Sequence, residues 1–252
     1  MARALREKSS TGIYHIMFRG VNRQAIFKDR QDQIRFLGTL KEYKDTCEFE
    51  LYGYCLMGNH VHLLIKETNE SISEIIKRLC SSYVRWYNSK YERCGHLFQA
   101  RFKSEVVEDD TYFLTVLRYI HQNPAKANIT KTVAEYEWSS YNEYIKKPRL
   151  IDVDFAFNYF SEDRSEAISS FVKFMNQDNE DQCLDIAEKV KLTDEAVKGY
   201  MRQLGILNIA MLRQSDKDKR DYVLSQLKKL EGISLRQIER VTGISRSVIN
   251  RV

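Results

Sequence analysis

Proline is nearly absent from this chain, with 2 in 252 residues, which leaves little to break regular structure. No apolar run approaches the roughly 20 residues that a membrane-spanning helix needs, so no membrane partner is expected. The N-terminus, MARALREKSSTG, is basic but no apolar stretch follows it. That excludes a secretory signal and makes a cytoplasmic location the expectation. The five cysteines (Cys47, Cys55, Cys80, Cys94 and Cys183) include no Cys-x-x-Cys pair. A zinc ribbon or dithiol redox motif is thereby excluded, and reduced, mostly buried thiols are expected. A Walker A motif or other glycine-rich nucleotide loop is missing too, as are internal repeats and low-complexity tracts.

What is present fits a folded protein: 43% hydrophobic, 12% aromatic and 30% charged residues. The net charge of +5 hides an uneven distribution. Residues 1–149 carry 24 basic and 18 acidic side chains, residues 150–200 carry 5 and 12, and residues 213–252 carry 10 and 5. Two basic blocks around an acidic one suggest two surfaces facing polyanions, joined by a solvated helical spacer.

Ile13–Gly20 (IYHIMFRG) is rich in β-branched and aromatic residues and reads as a strand. Asp32–Cys47 has helical apolar spacing. Phe49–Met57 and His60–Lys66 read as strands joined by a Gly58–Asn59 hairpin turn. Ile72–Tyr91 is a second amphipathic helix and Phe102–Val107 a fourth strand. Asp109–Gln122 is a third helix, capped by Asp109 or Asp110 and stopped before Pro124. The order strand, helix, strand, strand, helix, strand, helix is that of an α+β, ferredoxin-like split βαβ fold, with helices expected on one face of the sheet. Beyond Pro148 the pattern is all-helical: Asp154–Phe160, Glu166–Gln177, Leu184–Val190 and Glu195–Leu207. Three segments are therefore expected: a catalytic domain at 1–148, a helical spacer at 149–212, and a helix-turn-helix at 213–252.

His60 and His62 are two apart in a strand, so both imidazoles leave the same face. Neutral imidazoles bind divalent ions, and two on one face make half a site. The other half is YIHQNP, in which Tyr119 and Asn123 share one helical face. A phenol there can attack a phosphodiester while the Asn amide oxygen completes coordination. Unaided, a phenol with a pKa of about 10 stays protonated at neutral pH. An ion polarising the scissile phosphate lowers that barrier.

MGNHVHLL, GHLFQARFKS, LRYIHQNPAKA and EWSSY, in this order, resemble the single-tyrosine HUH transposases, in particular the REP-associated tyrosine transposases. The resemblance spans about residues 11–145. It implies a ferredoxin-like sheet, a metal site at His60, His62 and Asn123, and Tyr119 as the nucleophile. It further implies cleavage and rejoining of single-stranded DNA at hairpin-associated sites through a 5′-phosphotyrosine, with Mg or Mn as cofactor and no nucleotide. Whether two copies act together as a homodimer is left open.

Several other side chains are candidate DNA contacts. Arg101 and Lys103 can meet backbone phosphate and Phe98 can stack a base; Arg19, Asn22 and Arg23 follow the first strand. Trp138 in EWSSY reads as a packing anchor. At the C-terminus, SLRQIERVTGISRSVINRV has helix-turn-helix spacing. Leu235, Ile238 and Val241 form one apolar face, Gly243 permits the turn, Ile244, Val248 and Ile249 pack the next helix, and Ser245 is placed as its N-cap. Tyr222–Leu230 would supply a third helix. The module resembles those of the trp-repressor kind and would present Arg246, Ser247, Asn250 and Arg251 to base edges. The alternative is a non-catalytic DNA-binding regulator derived from such an enzyme. An RNA-binding module is disfavoured, because the central strands lack its stacking-aromatic pattern.

Overall fold

The computed structural model describes residues 6–181, 183–184, 192–230 and 233–252. They fall into two compact units, Met1–Asp185 and Ile186–Val252. This differs from the three segments expected.

The first unit opens with β1 (Ile13–Arg19), then α1 (Arg30–Cys47), β2 (Glu50–Met57), β3 (His60–Lys66), α2 (Ile72–Lys90), β4 (Lys103–Val106) and α3 (Asp110–Lys126). The four strands form one sheet in the order β2-β3-β1-β4, every neighbour antiparallel. β3 thus lies between β1 and β2, which places its histidines on a central strand. Six of the seven β1 residues and seven of the eight β2 residues are buried. A sheet buried on both faces needs cover on both. Helices therefore cover both faces of the sheet, where the sequence led to the expectation of one. Phe18 meets Phe36 of α1, which in turn meets Tyr83 of α2, on one side of the sheet. α3 covers the other side, where Gly53 of β2 is required: a Cβ there would lie 2.8 Å from Leu117 Cδ1.

The hairpin falls where Gly58–Asn59 marks it, with Met57 opposite His60. Neither residue of the turn has positive φ, so glycine's conformational freedom is not what the turn uses. The loop after β1 clasps its backbone instead: Ile26 and Phe27 donate to the Gly58 carbonyl, at 2.9 and 3.2 Å, and Gly20 donates to that of Asn59 at 2.8 Å. α1 begins two residues earlier than expected, because Asp29 and Asp32 form a reciprocal capping box. α3 is capped by Asp109, whose side chain accepts from Tyr112 N.

α3 does not stop before Pro124 but runs through it to Lys126. Proline removes one donor, and the turn beyond it is closed by Ala127 N to Asn123 O at 3.0 Å and Ile129 N to Pro124 O at 2.9 Å.

α4 (Tyr141–Ile145), α5 (Asp154–Phe157) and α6 (Arg164–Met175) follow. The segment after Pro148 is no solvated spacer: down to Asp181 it packs on the sheet and on α3. Asp152 pairs with the backbone of Leu51 in both directions and takes a salt bridge from Lys44. Phe155 stacks on Tyr52, with ring centroids 4.8 Å apart. Arg118 of α3 grips Asp181 through Nε at 2.7 Å and Nη2 at 3.0 Å. Acidic side chains that counted as solvent-facing by composition thus serve as local partners. The helix expected at Leu184–Val190 lies, apart from Leu184, outside the described residues.

The second unit contains α7 (Asp194–Gln203), α8 (Ile209–Gln214), α9 (Lys217–Lys229), α10 (Leu235–Thr242) and α11 (Arg246–Arg251). Val197, Met201, Leu212, Val223, Leu224, Leu227, Ile238 and Ile249 build its own apolar core. The boundary expected at residue 213 therefore cuts through this core. Gly243 ends α10 with φ +67°, as a left-handed C-cap. Ser245 stands at the N-cap of α11, but its hydroxyl meets Ser247 Oγ at 3.0 Å and makes no capping bond. No helix among the described residues is long and apolar enough to cross a membrane. Of the five free thiols, Cys47 and Cys55 are buried, Cys80 and Cys183 half-buried, and Cys94 exposed.

Candidate active site

β3 carries His60 and His62 on the α3 side of the sheet. The register sets Arg19 and Met57 beside His60, and Met17 and Cys55 beside His62. The two imidazoles are edge-on, with centroids 5.1 Å apart. From α3, Tyr119 brings its ring to 5.6 Å from that of His62, and it is only 7% exposed. Residues far apart in the sequence meet here because α3 packs across β2 and β3.

His62 is fully buried, and its Nε2 has no hydrogen-bond partner. Burial, followed by the charges of His15, His60 and Arg19, holds its pKa well below the ordinary histidine value. The ring is therefore neutral at physiological pH, the form in which imidazole binds an ion. His60 Nδ1 lies 2.7 Å from Asn59 Oδ1, and the Asn59 amide donates to the Arg23 carbonyl at 3.4 Å. That contact assigns the proton of His60 to Nδ1. Asn123 is half-buried, one turn beyond Tyr119. No cluster of three or more His, Cys, Asp or Glu suited to an ion occurs among the described residues. β3 supplies two imidazoles, and Asn123 carries an amide one helical turn beyond Tyr119. An orphaned buried nitrogen on a neutral ring fits a borderline divalent ion that leaves positions open to a substrate.

With this geometry in view, relatives become informative. Residues 8–123 match the profile described as "Transposase IS200 like". The chain is 29% identical over 119 residues to a Haemophilus influenzae protein named "Putative REP-associated tyrosine transposase", covering 41% of this chain and 67% of that one. A solved structure of a REP-associated tyrosine transposase bound to a REP hairpin superposes with a TM-score of 0.51. It covers 74% of this chain and 100% of its own, at 15% identity, so the likeness is one of fold.

The other candidate residues of the first unit divide between the two sheet faces. Arg19 stands on the histidine face, and its Nε is buried without a hydrogen-bond partner. Lys103, opposite Met17, is on that same face and exposed. Asn22 and Arg23 are exposed, with left-handed φ of 51° and 60°. Phe98 is elsewhere: it packs edge-on against Phe18, with centroids 5.0 Å apart, on the side away from the histidines. With Arg6, Arg85 and Arg101 it lines a cavity of about 700 Å³. Trp138 stands half-buried beneath Arg30, while its carbonyl accepts from Leu56 N at 2.9 Å. In the second unit Arg246, Ser247, Asn250 and Arg251 are all exposed, and Arg246 pairs with Glu239 at 2.8 Å.

Sequence reasoning missed His15 and Glu105. His15 Nε2 is 2.9 Å from His62 Nδ1, and His15 Nδ1 is 3.8 Å from Glu105 Oε2. The signal was the alternation of β1, which puts His15, Met17 and Arg19 on one face. Without the antiparallel register, that face could not be assigned to the site.

Proposed function

We propose that this protein is a single-tyrosine transposase that nicks and rejoins single-stranded DNA beside hairpins, on a ferredoxin-like catalytic unit. The observation that carries the reading is the convergence of Tyr119 with His60 and His62 in one place. In the reaction, Tyr119 Oη bonds to phosphorus as the P–O3′ bond breaks. The phenol proton leaves to solvent, and the departing 3′ oxygen takes one up. The product is a 5′-phosphotyrosine and a free 3′-OH, and the reverse step reseals the strand. Bond energy is kept in the ester, so no nucleotide is consumed. His60, His62 and Asn123 would hold a Mg or Mn ion, whose chemistry is to polarise a phosphate oxygen.

Arg19 and Lys103, on the face of the histidines, and Asn22 and Arg23, at the end of β1, are placed to neutralise the phosphates of the cleaved strand. Arg101 lines the second cavity with Phe98 and contacts the flanking nucleotides. α10 and α11 act as a helix-turn-helix, with exposed Ser247, Asn250 and Arg251 reading base edges and Arg246 released from Glu239 by a phosphate. The hairpin bound by the solved relative makes a DNA hairpin the first substrate to try. The test is a labelled single-stranded hairpin with Mn, scored for covalent protein–DNA adduct. Tyr119→Phe removes one hydroxyl from a buried ring, so it should fold and bind DNA yet form no adduct. Adduct at the wild-type rate from that variant would refute the assignment.

A further inference from the structure

His15 is fully buried on β1. It stands opposite Leu64 on β3 and Glu105 on β4, one rung from His62 on the same face. Its Nε2 approaches His62 Nδ1 to 2.9 Å, a hydrogen-bond distance that has room for a single proton. With both rings neutral, two arrangements are available to this pair. In one, His62 Nδ1–H donates to His15 Nε2, which leaves a lone pair on His62 Nε2. In the other, His15 Nε2–H donates, and the His62 proton sits on Nε2.

Two features choose between them. His62 Nε2 is buried with no acceptor in reach, so a proton there would be an unsatisfied buried donor. Glu105 Oε2 is 3.8 Å from His15 Nδ1, which favours N–H over a lone pair at that atom. A proton on His15 Nδ1 makes its Nε2 the acceptor, and both features select the first arrangement.

We propose that His15, backed by Glu105, is a positioning residue that fixes the Nδ1–H tautomer of His62 and so aims the Nε2 lone pair into the site. This rests on the reading that His60 and His62 hold a divalent ion. Residues that orient a metal-binding imidazole through its remote nitrogen typically change affinity by about 10- to 100-fold when removed. His15→Phe keeps a ring but offers no acceptor. His15→Gln places an amide oxygen near the old Nε2.

The full chain with ¹⁵N-labelled histidine, free of metal, reports the His62 tautomer directly by NMR. Mn titration followed by electron paramagnetic resonance reports affinity without any need for turnover. The wild type should show His62 protonated at Nδ1. His15→Phe should shift that proton toward Nε2 and weaken Mn binding by about 10- to 100-fold, while His15→Gln should restore both to near wild type. Glu105→Gln should move them in the same direction as His15→Phe, but less. The proposal is overturned if wild-type His62 carries its proton on Nε2, or if His15→Phe leaves the tautomer unchanged. It is also overturned if His15→Gln shifts the tautomer as far as His15→Phe, which would mark a purely structural effect. A wild type that binds no Mn while showing the Nδ1–H tautomer would sink the metal reading and leave the His15 assignment standing.

Discussion

Tyr119 illustrates how little a residue reveals about itself. It is one of 15 tyrosines in a chain where Tyr52, Tyr83, Tyr87 and Tyr144 are fully buried supports of the core. What separates it from them is its neighbours, since its ring meets both His15 and His62. The two candidate metal-binding histidines differ in the same way, His62 being wholly buried and His60 at the rim. His60→Ala and His62→Ala should each lower adduct formation at least 100-fold, with added Mn rescuing neither. A chelator should do the same to the wild type. Cleavage that persists in excess chelator would show that no ion takes part.

At the scale of elements, the segment EWSSY shows a motif that looked like packing and proves to be a seam. Ser140 Oγ accepts from Tyr54 N at 2.9 Å and lies 2.8 Å from His121 Nε2, so it ties α3 to the edge of β2. His121 is enclosed by the rings of Tyr141, Tyr144 and Phe171. Burial takes its pKa from the ordinary 6.5 down to about 3. Above pH 6.5 the ring is neutral in both the folded and the unfolded chain, and its contribution to stability is complete. Between 6.5 and 3 only the unfolded chain takes up the proton, so stability falls as pH falls, by up to about 1.4 kcal/mol per pH unit from this residue. Urea unfolding of wild type and His121→Phe from pH 7 to 5 should therefore diverge, with the shallower pH dependence in the variant. Parallel slopes would mean that His121 is reached by protons in the fold.

At the scale of the whole molecule, the two units make truncation informative. Residues 1–185 hold the sheet, the candidate site and the helices that strap α3, so this fragment should fold and retain metal-dependent cleavage. Residues 186–252 should fold as an independent helical module. A cut at residue 221 would instead run through α9, strip Val223, Leu224 and Leu227 from the second core, and yield an aggregating product. Circular dichroism and sedimentation of the three fragments decide this. If the helix-turn-helix reading holds, fragment 1–185 should bind hairpin DNA with a duplex stem more weakly than the full chain, and with a shallower salt dependence. Equal affinities and equal slopes would remove that role from the second unit.

The sequence by itself determined most elements of the first unit and singled out its candidate reactive side chains. Period-2 alternation fixes that His60 and His62 share a face, and helical spacing fixes that Tyr119 and Asn123 share a stripe. These are local consequences of backbone geometry. Gly243 was legible for the same reason, since a left-handed cap is a property of one residue. The tertiary structure alone decided which face α3 covers, that Tyr119 meets His62, and that His15 stands behind it. Each depends on strand register and helix packing between residues far apart in the chain. It also decided that residues 149–181 complete the first core and that the helical unit begins well before residue 213. Composition marks that middle stretch as acidic, but only the fold supplies Lys44 and Arg118 as the partners that draw its carboxylates in.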